Sequence, residues 1–335
     1  MLARRHLLAA GLALAPTPLI AQPAGRALTL VVPFAPGGST DVGTRLIAPR
    51  LAHHLGQSVV VENRPGAGGA TGADQVRRAA PDGSTLLIAV ASTHGVNPAV
   101  FPDLPYDAER DFAAVALLGV TGFVVVVRAD AGFADMNALV AKLRAEPGKH
   151  NYASAGVGSM PHLAGEWFRT ALGLQVEHVP YRGGGPAMVA LMGGEVTYMI
   201  ESVPTVAGAI TEGRLKALAR ASARASGPVA ELPALAELVP GFDAETWILA
   251  AAPAGTPAPV LARLNAAFNA ALAEPDLAER LRVEQGVLIV PGSHFGLGPF
   301  IRFGIGAHAA PLRQALDRIA SLLRSLPGDG TRAAG

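Results

Sequence analysis

The chain has 335 residues, half of them hydrophobic and 16% charged, with a formal net charge of +1 and no cysteine. That length suits one large body or two lobes, each with its own core, and the lack of cysteine excludes disulfides and thiolate metal ligands. The near-neutral balance excludes long-range attraction to nucleic acid, so any anion must find a local site.

Residues 1–21 read as a secretory signal: Arg4 and Arg5 precede the apolar run Leu7 to Ala15, too short to span a bilayer, and Pro16 and Pro18 lead to the small residue Ala21. The arginine pair also hints at a twin-arginine route. Without these two arginines the net charge of +1 becomes −1. No later stretch offers about 18 uninterrupted apolar residues, so the mature body is expected to be soluble once exported.

That body opens with short apolar strands at Leu28–Val32, Ser58–Val61 and Thr85–Val90, as strands buried on both faces of a parallel sheet should be. Helical composition lies between them at Val42–Leu55, with Pro49 expected to kink it, and at Ala70–Ala80. Ala113–Val127 is a long apolar passage able to run from one lobe into another. Asp135 can cap a helix through Leu143. Strands near Asn151–Ser154, Val176–Tyr181 and Val196–Ile200 then alternate with helices at Leu163–Leu172 and Pro186–Met192. Thr246–Ala252 is a further strand, followed by a helix with Thr256 as cap, Pro257 as first residue and a buried stripe of Leu261, Leu264, Phe268 and Leu272. Pro275 opens a last helix towards Gly286. The expectation is an α/β fold of two lobes joined by two crossovers around a cleft, with 26–119 plus 246–335 in the first lobe and 120–245 in the second.

Three segments share one design: Val32-Pro33-Phe34-Ala35-Pro36-Gly37-Gly38-Ser39-Thr40-Asp41, Tyr152-Ala153-Ser154-Ala155-Gly156-Val157-Gly158-Ser159 and Pro180-Tyr181-Arg182-Gly183-Gly184-Gly185-Pro186. Each passes from a strand through glycine to a helix start. Glycine allows close backbone approach, and the first helical turn offers unpaired N–H groups with partial positive charge, so an anion is the natural guest.

Phosphate is disfavoured, because no loop reads GxxxxGK[ST] or GxGxxG and none of the three lysines lies near one. A hydrolase built on Ser39 or Ser159 with His162, Asp41 or Glu201 lacks the GxSxG elbow; Ser159 reads as a helix cap ahead of Pro161, and Asp41 as a residue answering the first N–H groups of its helix. No metal or cofactor is expected, since adjacent His53 and His54 diverge on a helix and His162 with Glu166 is a lone pair. A fourth glycine loop, Asn63–Gly69, reads as a turn packing the next helix on the sheet, with Arg64 free to assist the site. His94, Tyr181 and Trp247 have core or rim readings as good as a ligand role.

"VVPFAPGGSTDVGTRLIAPRLAHHLGQSVVVENRPGAGGATGADQVRRAAPDGSTLLIA", "NYASAGVGSMPHLAGEWF" and "HVPYRGGGPAMVALMGGEVTYMI" resemble the Bug family of extracytoplasmic solute receptors, the substrate-binding proteins of tripartite tricarboxylate transporters, over roughly residues 26 to 290. The resemblance implies a two-lobed periplasmic-binding-protein fold of type II. It also implies a monomer without catalysis, closing on a small carboxylate or amino-acid-like ligand and serving membrane transporter subunits. In that pattern the ligand lies among Phe34, Pro36, Gly37, Gly38, Ser39 and Asp41 of the first loop and Ser154, Gly158, Ser159 and His162 of the second. Tyr181, Gly184 and Pro186 complete the wall, and Thr93 and Glu201 are further candidates. The chain departs from the family where Val189-Ala190-Leu191 and Thr197 replace usual acidic residues, where Glu201 stands for Asp, and in Phe295–Leu326. An exported serine hydrolase and a ligand-sensing partner of a membrane signalling protein are the rival readings.

Overall fold

The computed structural model describes residues 26–223, 229–283 and 287–288; the expected signal at 1–21, the end of the last helix at Gly286 and the segment 295–335 lie outside the described residues. Strand β1 (Leu28–Val32) is followed by α1 (Ser39–Leu55), β2 (Val59–Asn63), α2 (Ala70–Arg77), β3 (Thr85–Val90) and the short α3 (Asn97–Val100). β1 lies between β2 and β3, parallel to both. Its two faces are apolar because each is covered: Leu28, Leu30 and Val32 enter a core with Ile47 and Leu51 of α1, while Val31 packs with Ala73 and Val76 of α2. Pro49 lies within α1 without ending it.

The 17-residue strand β4 (Phe112–Arg128) joins the two halves. Its first part pairs antiparallel with β9 (Glu245–Pro253), as far as Gly122 opposite Glu245, and β9 in turn pairs with β3. From Phe123 onward β4 pairs instead with β7 (Tyr198–Ser202) and β8 (Leu215–Arg220). Register shifts near Ala114 and Leu117 mark bulges, which bend and twist a strand. The chain returns beside the same point: Phe123 N–H donates to Ala244 O at 3.2 Å, Ala221 N–H to Phe123 O at 2.7 Å and Ala244 N–H to Ala221 O at 2.8 Å. Two crossovers therefore form one hydrogen-bonded waist.

The second half contains α4 (Met136–Ala145), β5 (His150–Ser154), α5 (Met160–Ala171), β6 (Val176–Pro180), α6 (Gly184–Gly193), β7, α7 (Val203–Thr211) and β8, with β5 parallel to β6 and β7. Asp135 caps α4 by accepting from Ala138 N–H at 2.9 Å. Tyr152, Phe168 and Tyr198 centre one core of this half, and Val124, Met199 and Val206 belong to a second. After β9, α8 (Ala258–Leu272) places Leu264, Phe268 and Leu272 in the core of the first half beside Leu51 of α1. It starts later than the sequence suggests, because the Thr256 hydroxyl turns back to Pro253 O at 2.8 Å instead of capping. α9 (Pro275–Val283) is tied to α1 through Arg50, which pairs with Asp276 and with Glu274 at the end of the preceding turn. β10 (Val287–Leu288) pairs with β4. No helix among the described residues is long and apolar enough to cross a membrane.

Candidate functional site

The loops that follow β1, β5 and β6 face one another between the halves. The two halves meet there. Ala35 N–H donates to Arg182 O at 3.0 Å. A Cβ on Gly185 would sit 2.2 Å from Pro36 O, one on Gly68 would sit 2.6 Å from Val157 O, and one on Gly38 would sit 3.5 Å from Gly184 N. Glycine at 185 and 68 is thus what lets backbone lie on backbone across the opening.

Two further bonds cross the cleft in a reciprocal way. The first amide of α1, Ser39 N–H, donates to Thr205 Oγ1 at 2.9 Å, and the first amide of α5, Met160 N–H, donates to Ser92 Oγ at 3.0 Å. Each helix start is capped by a hydroxyl of the opposite half. Ser159 is the local cap of α5, accepting from His162 N–H at 3.4 Å.

Asp41 behaves differently from the expectation that it answers the first N–H groups of its own helix. It reaches back to the loop, accepting from Gly37 N–H at 3.0 Å, Asn63 Nδ2 at 2.9 Å and Arg45 Nε at 3.0 Å. Burial alone would raise its pKa, but these bonds from Arg45, Gly37 and Asn63 outweigh burial and hold the carboxyl below its ordinary value. The carboxylate thereby fixes the glycine loop. The second loop is fixed by imidazoles. Gly158 N–H donates to His162 Nδ1 at 3.3 Å, Ser154 Oγ meets His178 Nε2 at 2.6 Å, and the two rings stack with centroids 4.2 Å apart. Burial lowers the pKa of both, that of His178 to about 3, so both are neutral and able to accept. Glu166 does not serve His162. It accepts from Tyr152 OH at 2.7 Å and forms a two-bond pair with Arg169 at 2.7 and 2.6 Å.

Between these loops lies a narrow cleft with about 40 Å³ of interior space. Of the residues proposed from sequence, Phe34, Gly38, Ser39, Ser159, Gly184 and Glu201 line it. Tyr181 instead faces a neighbouring outer groove of about 450 Å³ with Phe34, Gly66–Gly69, Phe101, Val157 and Arg182. Gly37, Asp41, Ser154, Gly158 and His162 hold the loops, as described. Pro36 contributes the carbonyl that abuts Gly185, while Thr93 is buried and bonded to Val90 N–H at 3.1 Å and to Val90 O at 3.0 Å. Pro186 belongs to the first turn of α6 and does not line the cleft. Arg64 is engaged by Glu62, and burial lowers the pKa of His94 to about 4.

Sequence reasoning missed Thr40, Ser92, Ser202, Thr205 and Thr246, whose polar side chains join apolar Val90, Phe123, Ala155 and Met160 in the wall. Ser202-Val203-Pro204-Thr205 carried a usable signal: a strand end followed by proline in the first helical turn, the same design as Ser159-Met160-Pro161. α1 leaves the amide of Thr40, and α6 that of Gly184, without an acceptor among the described residues.

Glu201 is 3% exposed at the end of β7. Its Oε1 accepts from Ser202 N–H at 2.8 Å, Ser202 Oγ at 2.7 Å and Thr205 Oγ1 at 3.4 Å, whereas Oε2 has no partner among the described residues. A Cβ on Gly184 would lie 2.9 Å from that oxygen, so Oε2 faces the start of α6. Burial pushes the Glu201 pKa up to about 7 against the three stabilising bonds.

With this geometry established, comparison with known proteins is direct. Residues 44–301 match the model of the tripartite tricarboxylate transporter family receptor. A protein from the tcbD–tcbE intergenic region of Pseudomonas sp. strain P51 is 41% identical over 259 residues, 77% of each chain. Protein BugT of Bordetella pertussis is 37% identical over 267 residues, 79% of this chain and 82% of its own. Among solved structures, a periplasmic transporter superposes with a TM-score of 0.80 at 36% identity, covering 91% of this chain and 98% of that one. MatC of Rhodopseudomonas palustris with bound malate gives 0.78 at 34% identity (90% and 100% covered), and Rpa4515 of the same organism with adipate gives 0.79 at 30% (90% and 99%). By sequence match and by fold, the chain belongs to the tripartite tricarboxylate transporter receptor family.

Proposed function

We propose that the protein is a periplasmic receptor that captures a small carboxylate-bearing solute between its halves and presents it, unchanged, to the membrane subunits of a tripartite tricarboxylate-type transporter. The observation that carries this reading is the cleft itself. Helix starts α1 and α5 lie at it from opposite halves, its polar lining is made of amides, hydroxyls and the single carboxyl of Glu201, and unengaged amides remain at Thr40 and Gly184. A carboxylate suits such donors, each charge-assisted bond adding roughly 1.5 to 3 kcal/mol, and several of them together can supply the roughly −8 kcal/mol net that micromolar capture requires. The malate and adipate bound by the two R. palustris relatives support the ligand class.

Export as a mature chain after removal of 1–21, and a division into lobes near Gly122/Phe123 and Ala244/Glu245, are part of the same proposal; the strand pairing at the waist supports the second. The hydrolase reading is less well supported, because His162 already accepts the Gly158 amide through Nδ1, Ser159 is engaged in capping, and no bond between the two side chains is found among the described residues. A thermal-shift screen of the purified protein with mono-, di- and tricarboxylates, aromatic acids and amino acids tests the proposal. A true ligand at 100 times its Kd adds about 2.7 kcal/mol of stability and is recovered chemically intact. Hydrolysis of a panel of esters or amides at enzymatic rates would defeat the receptor reading.

A further inference from the structure

The ligand-facing wall holds one ionisable side chain and no cation. Among the residues lining the cleft there is no lysine, arginine or histidine, and the pocket's single ionisable group is Glu201, whose Oε2 is buried without a partner and faces Gly184 at the start of α6. We infer that this oxygen reads a nitrogen on the ligand, so that the protein selects amino-substituted carboxylates over the corresponding plain mono- and dicarboxylates. The inference rests on the receptor reading and deepens it.

The argument is one of charge and donor count. Oε1 is already served by the Ser202 amide and the hydroxyls of Ser202 and Thr205, which leaves the other oxygen against the start of α6, beside Gly184 in the cleft wall. A buried acceptor without a donor is costly, and a ligand that supplies the donor recovers that cost. The amides of Thr40 and Gly184 and the lining hydroxyls can meet one carboxylate. With no counter-cation in the lining, a second carboxylate on the ligand could meet Glu201 only by keeping it protonated, whereas an ammonium favours the ionised carboxyl and pairs with it inside the cleft. Ligands are therefore discriminated by a repulsive element as well as by an attractive one.

The test uses matched probes that differ only by an amine: aspartate and succinate, glutamate and glutarate, 2-aminobenzoate and benzoate, together with alanine and propionate. Affinities are measured by calorimetry on the wild-type protein and on Glu201→Gln, which keeps the side-chain shape and an oxygen for Ser202 and Thr205 but removes the charge. The inference expects the amine-bearing member of the best-bound pair to bind at least about tenfold tighter to the wild type, and that ratio to fall within threefold in Glu201→Gln. Equal or tighter binding of the plain acid by the wild type overturns it even if the variant does not fold, and so does an unchanged ratio in a folded variant. If plain carboxylates bind without amine preference, this inference falls and the receptor reading stands; if no carboxylate of any pair binds, both fall.

Discussion

Replacing Gly185 by alanine should separate closing from folding. The residue lies in the first turn of α6 and is not among the glycines with positive φ, so the helix accepts alanine, which is also the better helix former. In the closed arrangement, however, the new Cβ would stand 2.2 Å from Pro36 O and 3.2 Å from Gly37 Cα and carbonyl carbon. A carbon beside a carbonyl oxygen settles at about 3.3 Å, so the two loops must part by about 1 Å. That movement stretches the Ala35–Arg182 bond, now 3.0 Å, and loosens the glycine-to-glycine contact beside it. Overpacking of this kind costs about 1 to 3 kcal/mol. If the empty receptor opens at the waist, as capture between the halves requires, the cost falls on the closed form alone, so ligand affinity should fall about 5- to 150-fold while the melting temperature of the ligand-free protein changes little. Calorimetry with the tightest ligand, and small-angle scattering with and without it, provide the readouts. A variant that binds and compacts like the wild type would refute the claim that capture requires this backbone contact.

Other expectations follow from the same geometry. Thr205→Val and Ser92→Ala each remove the hydroxyl that caps a helix start across the cleft; leaving a buried amide unpaired costs about 1 to 3 kcal/mol, so each should weaken ligand binding several-fold or more, and unchanged affinity in both would show that the reciprocal caps do not support closure. Ser159→Ala removes a cap whose bond is long at 3.4 Å, so a loss of at most about 1 kcal/mol is expected in denaturant unfolding. Glu201 has a pKa raised from 4.5 to about 7 in the folded protein, so folding is opposed by its ionisation: the full stability is present below pH 4.5 and is lost as pH rises towards 7. Relative to wild type, Glu201→Gln should therefore gain stability between pH 5 and 8, by about 3 kcal/mol at the upper end, and a stability difference that is flat over this range would contradict the burial argument.

Local patterns made much of this architecture legible. β1 and β3 lie where their apolar runs are, because strands buried on both faces carry no competing signal, and Ser159 and Asp135 cap the helices they precede. β8 was hidden because Lys216 and Arg220 interrupt its apolar residues: the Lys216 ammonium reaches out to Phe133 and Ala134 carbonyls while Leu215, Leu218 and Ala219 are buried. Within the site, the glycine loops and Glu201 were visible as strand-to-helix junctions. Their partners were not, since Ser39 meets Thr205 and Met160 meets Ser92 across the whole second or first half of the fold. Such pairs follow from the two crossovers at Phe123 and Ala244, and no local spacing encodes them. Asp41 shows the same limit on a smaller scale: its type and position suggested a helix cap, and only Asn63, brought alongside by parallel pairing of β1 with β2, reveals its role in bracing the loop.

The claim that this cleft clasps a carboxylate is tested most directly by a crystal structure of the protein with its tightest-binding acid. The account predicts one carboxylate between Ser39, Ser159 and Gly184, within hydrogen-bonding distance of the amides of Thr40 or Gly184. An acid seated in the outer groove against Arg182, with the inner cleft holding only solvent, would contradict it.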